Sequence, residues 1–264
     1  MIILAIANPK GGVSKSTIAL HTAYQAALIK KLKVLVIDFD LQGSLSSSLE
    51  LEPAKTHLQT AAALFSNEKP EPRASKIEGI SILTASSLQG EILNDFACEK
   101  MEDLFPVKAA FNKLKNDFDI CIIDTAGVLG FKPPLTTAAL LVSNFVLIPT
   151  TIGDYEAKSL AKSWKYINGI KSSGYNRHLQ LLGILPCRIN STSKFELEGL
   201  KALSDALPEI VMPFFLSERA AVKQAISNQI PVWQKVRGAS HKKAADEWLD
   251  ATQYIINKII QKSE

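Results

Sequence analysis

The sequence predicts an α/β fold with three layers, in which a mostly parallel, twisted sheet carries helices on both faces. Short apolar runs without polar alternation recur along the 264 residues, for example at Val34 to Ile37. Such runs are typical of parallel strands that are covered on both faces. Segments with apolar residues at helical spacing lie between them, for example at Thr17 to Lys30. We therefore expect about seven or eight strands in a single domain over residues 1–264.

The composition is that of an ordinary globular protein, with 47% hydrophobic and 21% charged residues. The N-terminus leads directly into a predicted strand and no apolar run reaches membrane-spanning length, so we expect a cytoplasmic protein without a signal peptide. Cys98, Cys121 and Cys187 lie far apart, which argues against a disulfide framework or a cysteine-bound metal. The net charge of +4 does not by itself predict nucleic-acid binding.

The first predicted turn has the composition of a phosphate-binding loop. The apolar run Ile2 to Ala7 leads into Asn-Pro-Lys-Gly-Gly-Val-Ser-Lys-Ser-Thr at residues 8–17, and a helical pattern follows. Small residues let backbone N–H groups converge on an anion, and the helix adds the positive end of its dipole. In such a loop Lys15 binds the β- and γ-phosphates and the Ser16 hydroxyl binds Mg²⁺. The alternative is a glycine turn with two solvated lysines.

The strict pattern G-x-x-x-x-G-K-[ST] fails because Pro9 and Ser14 occupy its glycine positions, and the variant K-G-G-x-x-K-[ST] fits instead. This variant resembles the deviant Walker A motif of the ParA/MinD group of P-loop ATPases, and the ParA partition proteins in particular. The resemblance implies that ATP with Mg²⁺ is bound by Lys10, Gly11, Gly12, Val13, Ser14, Lys15, Ser16 and Thr17. It also implies that Lys10 reaches across a dimer interface to the ATP of the partner subunit.

Two carboxylates follow the predicted strand Lys33 to Phe39. Asp38 and Asp40 stand at its carboxyl end, where open α/β sheets bind their ligands. The stretch resembles the D-x-D-P-Q motif of ParA proteins, with Leu41 in place of proline. The resemblance implies that Asp40 positions or activates the attacking water and that Asp38 lies close to the metal. The alternative is that both carboxylates cap the helix beginning near Ser44.

The third signature spans Asp117 to Gly127. Four apolar residues that end in Asp124 are typical of a Walker B strand, whose carboxylate holds Mg²⁺, usually through water. Partition ATPases usually continue with D-T-P-P, whereas Ala126 and Gly127 follow Thr125 here. D-T-A-G also occurs in P-loop GTPases of the signal-recognition type. Three signatures that follow three predicted strands in order nevertheless support the ATPase superfamily.

The sequence also supports predictions for a helical insertion and for the turn after a later strand. The residues from Leu88 to Lys115 are expected to form the helix-rich insertion of ParA-like proteins. Arg188 and Asn190 follow the predicted strand Leu179 to Pro186, where the family packs residues against the adenine ring. They are candidates for base contacts, and a plain turn is the alternative.

The C-terminal third carries candidate DNA contacts. The block from Ile210 to Trp233 resembles the C-terminal block of plasmid ParA proteins, in which basic residues hold DNA. Arg219 and Lys223 lie four residues apart on one predicted helix, so both are within reach of a phosphate backbone. The alternative for Arg219 is a local salt bridge. Four further cations complete the candidate patch, for which a solvated face is the alternative: Lys235, Arg237, Lys242 and Lys243.

The last predicted helix, His241 to Lys262, is amphipathic. Its apolar stripe packs on the core or lies on a membrane surface, as in MinD-like relatives, and we favour packing.

The resemblance as a whole implies an ATPase that dimerises on binding ATP, binds DNA non-specifically and segregates plasmids or chromosomes. It also implies stimulation by a ParB-like centromere-binding partner and nucleoid association, and membrane binding is not expected. Lys10 and Lys15 would stabilise phosphate charge in the reaction, with Asp40 near the water. The alternatives are a MinD-like positioning ATPase and a weakly hydrolysing nucleotide-switched adaptor, the latter because the Cβ atom of Ser14 would crowd the phosphates.

Overall fold

The computed structural model describes residues 1–49, 52–85, 98–131 and 134–263. Within these residues the strands are β1 (Ile2–Ile6), β2 (Val34–Asp38), β3 (Arg73–Ala74), β4 (Ile80–Leu83), β5 (Ile120–Asp124), β6 (Phe145–Thr150), β7 (Gln180–Ile189) and β8 (Leu216–Ser217). The α-helices are α1 (Lys15–Tyr24), α2 (Ser44–Leu49), α3 (Phe105–Leu114), α4 (Leu135–Val142), α5 (Asp154–Ser172), α6 (Lys194–Ala206), α7 (Ala220–Ser227) and α8 (Gly238–Gln261).

The described strands form one sheet in the order β3-β4-β2-β5-β1-β6-β7-β8. The pairings are parallel except that of β3 with β4, which is antiparallel. Strands β2, β5 and β1 are adjacent, and the register places Asp124 opposite Ile6 on one side and Asp38 on the other. The predicted mostly parallel sheet is confirmed. Its order brings the carboxyl ends of three signature strands to one point.

Helices cover both faces of the sheet, as predicted. Alternate residues of a strand belong to different cores: Leu4 and Ile6 of β1 pack with α1, α2, α7 and α8, whereas Ile3 and Ala5 pack with α3, α4 and α5. Each central strand is therefore buried on both faces, which explains its continuous apolar run.

Local structure differs from the sequence-based expectations in two segments. The sequence from Thr56 to Phe65 is helix-like, but in the structure it forms two short 3₁₀ segments, His57–Gln59 and Ala61–Phe65. They are separated because Thr60 is extended and bridges to Thr84, with Ala61 N donating to the Thr84 carbonyl at 3.0 Å. The helix α1 ends earlier than expected and continues as a π-helical segment, Gln25–Ile29. Of the predicted insertion, residues 88–97 lie outside the described residues, and α3 lies within the remainder.

The apolar stripe of the last helix packs on the core, as favoured by the sequence. Trp248, Ile255, Ile256 and Ile259 of α8 are buried in the same cluster as the apolar side chains of α1. This stripe is therefore committed to the interior. Among the described residues, no helix combines the length and the apolar character needed to cross a bilayer.

Candidate functional site

The phosphate loop connects the end of β1 to the first turn of α1. Gly11 and Gly12 are exposed, so the loop backbone is open to a ligand. Gly12 and Ser14 both have a positive φ, 74° and 66°, and Ser14 is the N-cap residue of α1. The left-handed conformation is common for glycine but costs a residue with a Cβ atom about 1–2 kcal/mol. Ser14 thus adopts a left-handed backbone conformation that is typical of glycine, and this conformation is strained for a serine.

Lys15 lies at the centre of the site. Its side chain is only 7% exposed, and Nζ donates a hydrogen bond to the Lys10 carbonyl oxygen at 3.0 Å. Burial lowers the pKa of Lys15, while the negative charges of Asp124 and Asp40 oppose that effect. These interactions bring together the three residues that the sequence assigned to charge stabilisation, metal binding and water positioning.

Asp124 ends β5 and is fully buried. Neither of its carboxylate oxygens has a hydrogen bond of normal geometry to any described residue. Burial raises the pKa of Asp124 well above its ordinary value, and the charge of Asp38 raises it further. The Ser16 hydroxyl and the charge of Lys15 lower it. Because a buried carboxylate whose oxygens lack well-formed hydrogen bonds is costly, the site fits a cation close to Asp124 and Ser16.

Asp38 has a different environment from Asp124. One of its oxygens accepts from the Ser46 backbone N–H at 2.8 Å and the Ser46 hydroxyl at 2.7 Å, and the other accepts from the Asp40 N–H at 3.0 Å. Burial raises its pKa to about 6. Asp38 therefore caps α2, as the capping alternative predicts, and Asp124 is the carboxylate with oxygens free for a metal. Asp40 accepts from the Gln42 N–H at 3.0 Å, so its own carboxylate closes a turn beside Lys15.

Lys10 is held by a residue that the sequence had not indicated. Its Nζ forms an ion pair with Glu156 on α5, and Glu156 also accepts from the Thr151 hydroxyl at 3.0 Å. The Lys10 side chain remains 41% exposed. The charge and hydrogen bond of Lys10 lower the pKa of Glu156. The two partners lie 146 positions apart, and no spacing in the sequence points to their contact.

Gly127 explains the departure from the D-T-P-P pattern. A Cβ atom at this position would lie 3.0 Å from the carbonyl oxygen of Pro9 and 3.5 Å from the backbone nitrogen of Gly11. Any larger residue would therefore press on the phosphate loop. The sequence shows the glycine itself, at a position where the family usually has proline. It does not show that the backbone of Pro9 and Gly11 lies against this glycine.

A cavity of about 310 Å³ adjoins the phosphate loop. Gly12, Thr17 and Arg188 contribute to its lining. Arg188 donates to the Gly12 carbonyl oxygen at 2.8 Å and to Glu218 at 3.0 Å, so the structure brings it to the loop. The other candidate base contact is turned away: the Asn190 side chain accepts from the backbone and hydroxyl of Thr192 and does not line this cavity.

The candidate DNA contacts fall into two groups. The Arg219 side chain is only 14% exposed and pairs with Glu247 of α8 at 3.0 Å. Arg219 is therefore held by an ion pair, as the salt-bridge alternative describes although with a distant partner, whereas the Lys223 side chain is 76% exposed. Arg219 fixes α8 against the end of the sheet. The four other candidates are exposed: Lys235, Arg237, Lys242 and Lys243.

Comparison with known proteins decides the family. A family model described as AAA domain matches residues 1–181, more than half of the chain. The chain belongs to this family, as a ParA-type ATPase. Protein IncC from Escherichia coli is 28% identical over 98% of this chain and 70% of its own length. A ParA family protein from Chlamydia trachomatis is 25% identical over 97% of this chain and 98% of its own.

A solved structure has the same fold as this ParA-type chain. The ATP complex of a Cyanothece McdA variant has a TM-score of 0.81 at 20% identity, covering 97% of this chain and 96% of that one. The family prediction and the fold prediction made from the sequence are thus both confirmed.

Proposed function

We propose that the chain binds ATP and Mg²⁺ at this loop and hydrolyses the ATP in order to segregate plasmid or chromosomal DNA. The observation that supports this most directly is the convergence of Lys15, Asp124 and Asp40 beside an open phosphate loop. The ParA-family relatives, and the ATP in the related McdA complex, point to the same nucleotide.

The residues divide the chemistry between them. The loop N–H groups and Lys15 hold the phosphates, while Ser16 and Asp124 hold Mg²⁺, which neutralises developing phosphate charge when it is bound. Asp40 orients the attacking water, and Asp38 supports this position through its hydrogen bond to the Asp40 N–H. Because these groups act through position and charge, a small displacement of the loop is expected to lower turnover strongly.

Dimer formation supplies each bound ATP with a further positive charge, the Lys10 ammonium group of the other subunit. Lys10 leaves Glu156 and reaches the ATP of the partner subunit, so that each site is complete only in the ATP-bound homodimer. The partial exposure of Lys10 supports this step, since its Nζ is held by one carboxylate and is not enclosed by the fold.

The exposed cations at the start of α8 bind DNA without sequence preference, through the phosphate backbone. Lys235, Arg237, Lys242 and Lys243 supply this charge, and the distribution of the protein follows the nucleoid in the cytoplasm. A ParB-like centromere-binding protein stimulates hydrolysis and releases the dimer. A relative named chromosome-partitioning ATPase Soj, from Treponema pallidum, supports this assignment.

Fluorescence polarisation of a labelled duplex tests the proposal. The protein is titrated with ATP, ADP or no nucleotide, from about 50 to 200 mM salt. Wild type should bind more tightly with ATP than with ADP or without nucleotide, and its affinity with ATP should fall by about 100-fold across that series if four cations each meet a phosphate. Lys15→Ala should lose this binding because it loses ATP. Lys10→Ala should retain ATP and lose the dimer.

Lys55→Ala is the matched control, because Lys55 is an exposed lysine whose salt bridge to Glu52 is 3.7 Å long. It should behave as wild type. DNA binding that is indifferent to nucleotide, or that survives in Lys15→Ala, would contradict the proposal.

A further inference from the structure

A continuous chain of hydrogen bonds joins the first turn of α1 to the start of α8. His21 Nδ1 donates to the Thr17 carbonyl oxygen at 2.9 Å, and His21 Nε2 accepts from the Val232 N–H at 3.3 Å. On the other side of the same residue, His241 Nε2 donates to the Val232 carbonyl oxygen at 2.8 Å. His241 Nδ1 then accepts from the Arg237 N–H at 3.2 Å. Two histidines thus form hydrogen bonds with the backbone N–H and the carbonyl oxygen of the buried residue Val232.

The donors and acceptors along this chain assign one tautomer to each ring. A backbone N–H only donates and a carbonyl only accepts, so His21 carries its proton on Nδ1 and His241 carries its proton on Nε2. Both rings are neutral in this arrangement. Burial lowers the pKa of His21 to about 4, so this ring keeps its acceptor nitrogen at neutral pH.

The α1 end of the chain is rigid. His21 is fully buried, and its ring centroid lies 5.7 Å from that of Tyr24, 5.6 Å from that of Trp233 and 4.6 Å from that of Trp248. Such a ring has little room to rotate in a packed interior. His21 therefore links the first turn of α1 to Val232 through two hydrogen bonds and a tightly packed ring. Thr17 belongs to that turn and lines the cavity beside the phosphate loop.

The other end of the chain borders a basic cleft of about 620 Å³ between α7 and the start of α8. Lys235 and Arg237 line it together with the neutral polar residues Gln224 and Asn228, and no carboxylate is among its described lining residues. Lys235 has a φ of 51°, so its backbone is held in the left-handed region. A cleft with cations and neutral donors suits a phosphodiester group.

We propose that His21 and His241 are positioning residues, which set the geometry of this basic cleft according to the nucleotide bound at the phosphate loop. The proposal rests on the proposed function for its ligand, the DNA backbone. It adds the route by which ATP changes DNA affinity: from Thr17 through His21 and Val232 to His241 and the N-cap of α8.

Two substitutions of His241 separate coupling from simple capping. In His241→Gln the amide nitrogen replaces Nε2 and keeps the bond to Val232, whereas in His241→Asn the amide oxygen replaces Nδ1 and keeps the bond to Arg237. Coupling requires the Val232 bond, so His241→Gln should retain it and His241→Asn should lose it. A residue that only caps α8 would give the reverse order. The matched control is His178→Asn, at an exposed histidine.

The first readout is the ratio of DNA affinities measured with ATP and with ADP. Wild type, His178→Asn and His241→Gln should show a ratio within the usual range of allosteric coupling, about 5- to 150-fold. The ratio should fall towards one in His241→Asn. ATP affinity measured without DNA should stay within about twofold in every variant, because none of these residues touches the nucleotide.

The second readout does not require DNA. Amide hydrogen exchange over residues 235–243 should change on ATP binding in wild type and His241→Gln, and should not change in His241→Asn. An equal response in all variants, or a loss in His241→Gln alone, would overturn the proposal. If wild type bound no DNA in an ATP-dependent manner, the proposed function would fail, and the exchange experiment would still decide on the hydrogen-bond chain.

Discussion

Ser14 offers a direct test of how the phosphate loop is built, because replacing it by glycine should stabilise the protein. Its φ of 66° and ψ of 23° are left-handed, and its side chain makes no capping hydrogen bond that glycine would remove. Relief of the left-handed strain contributes about 1–2 kcal/mol. The greater freedom of glycine in the unfolded chain offsets about 0.5–1 kcal/mol. Ser14→Gly should therefore raise the free energy of unfolding by about 0.5–1 kcal/mol.

Ser173 provides the matched control. It is an exposed residue at the end of α5 with an ordinary right-handed backbone, φ −72° and ψ −5°. At this position there is no left-handed strain to relieve, and only the greater freedom of glycine in the unfolded chain acts. Ser173→Gly should therefore lower the free energy of unfolding by about 0.5–1 kcal/mol. Urea unfolding resolves the difference between the variants, and thermal unfolding should separate them by about 2–4 °C per kcal/mol. Shifts of the same sign in both variants would refute the backbone argument.

Three more predictions concern the site. Mg²⁺ should stabilise the ATP-bound protein further, by about 2.7 kcal/mol at a hundredfold excess over its Kd. Asp124→Asn should abolish this additional stabilisation. An undiminished effect of Mg²⁺ in a melting assay would contradict the metal-binding role of Asp124. Gly127→Ala should cost about 1–3 kcal/mol because its Cβ would lie 3.0 Å from Pro9 O, whereas Gly169→Ala, with nothing within 4 Å, should be neutral or stabilising in the same urea titration. The pKa of Asp38 is raised from its ordinary value near 3.8 to about 6. The resulting contribution to the free energy of unfolding, about 3 kcal/mol, is fully present below pH 3.8 and is lost as the pH rises through 6. Unfolding free energies of wild type and Asp38→Asn should therefore diverge between about pH 4 and 6, and parallel curves over that range would be evidence against the shift.

The phosphate loop, the two strand-end aspartates and the α/β class were all predictable because each depends on short-range chemistry. A buried parallel strand needs a continuous apolar run, and a phosphate loop needs small residues between a strand and a helix. These requirements act within about ten residues, so the pattern at residues 8–17 carries them. The comparisons confirm the family that this pattern indicated.

Sequence reasoning left alternatives open where a side chain had a choice of distant partners. Arg219 was predicted as a candidate cation for DNA from its spacing to Lys223, but its position at the N-cap of α7 turns it towards Glu247, 28 residues away. Asp38 and Asp124 end neighbouring strands in the same way. Ser46 and the Asp40 N–H occupy the oxygens of Asp38, whereas the oxygens of Asp124 have no hydrogen bond of normal geometry to a described residue.

The sequence by itself therefore determined the elements, the loop and the identity of the charged groups at the sheet edge. The tertiary structure decided which of those groups are free and which are held: Lys10 by Glu156, and the first turn of α1 by Val232 through His21. Strand order brings these partners together across 146 and 211 residues. Local backbone preferences reach only a few positions along the chain, whereas hydrogen bonds and ion pairs depend on distances in space, and only the folded sheet sets those distances.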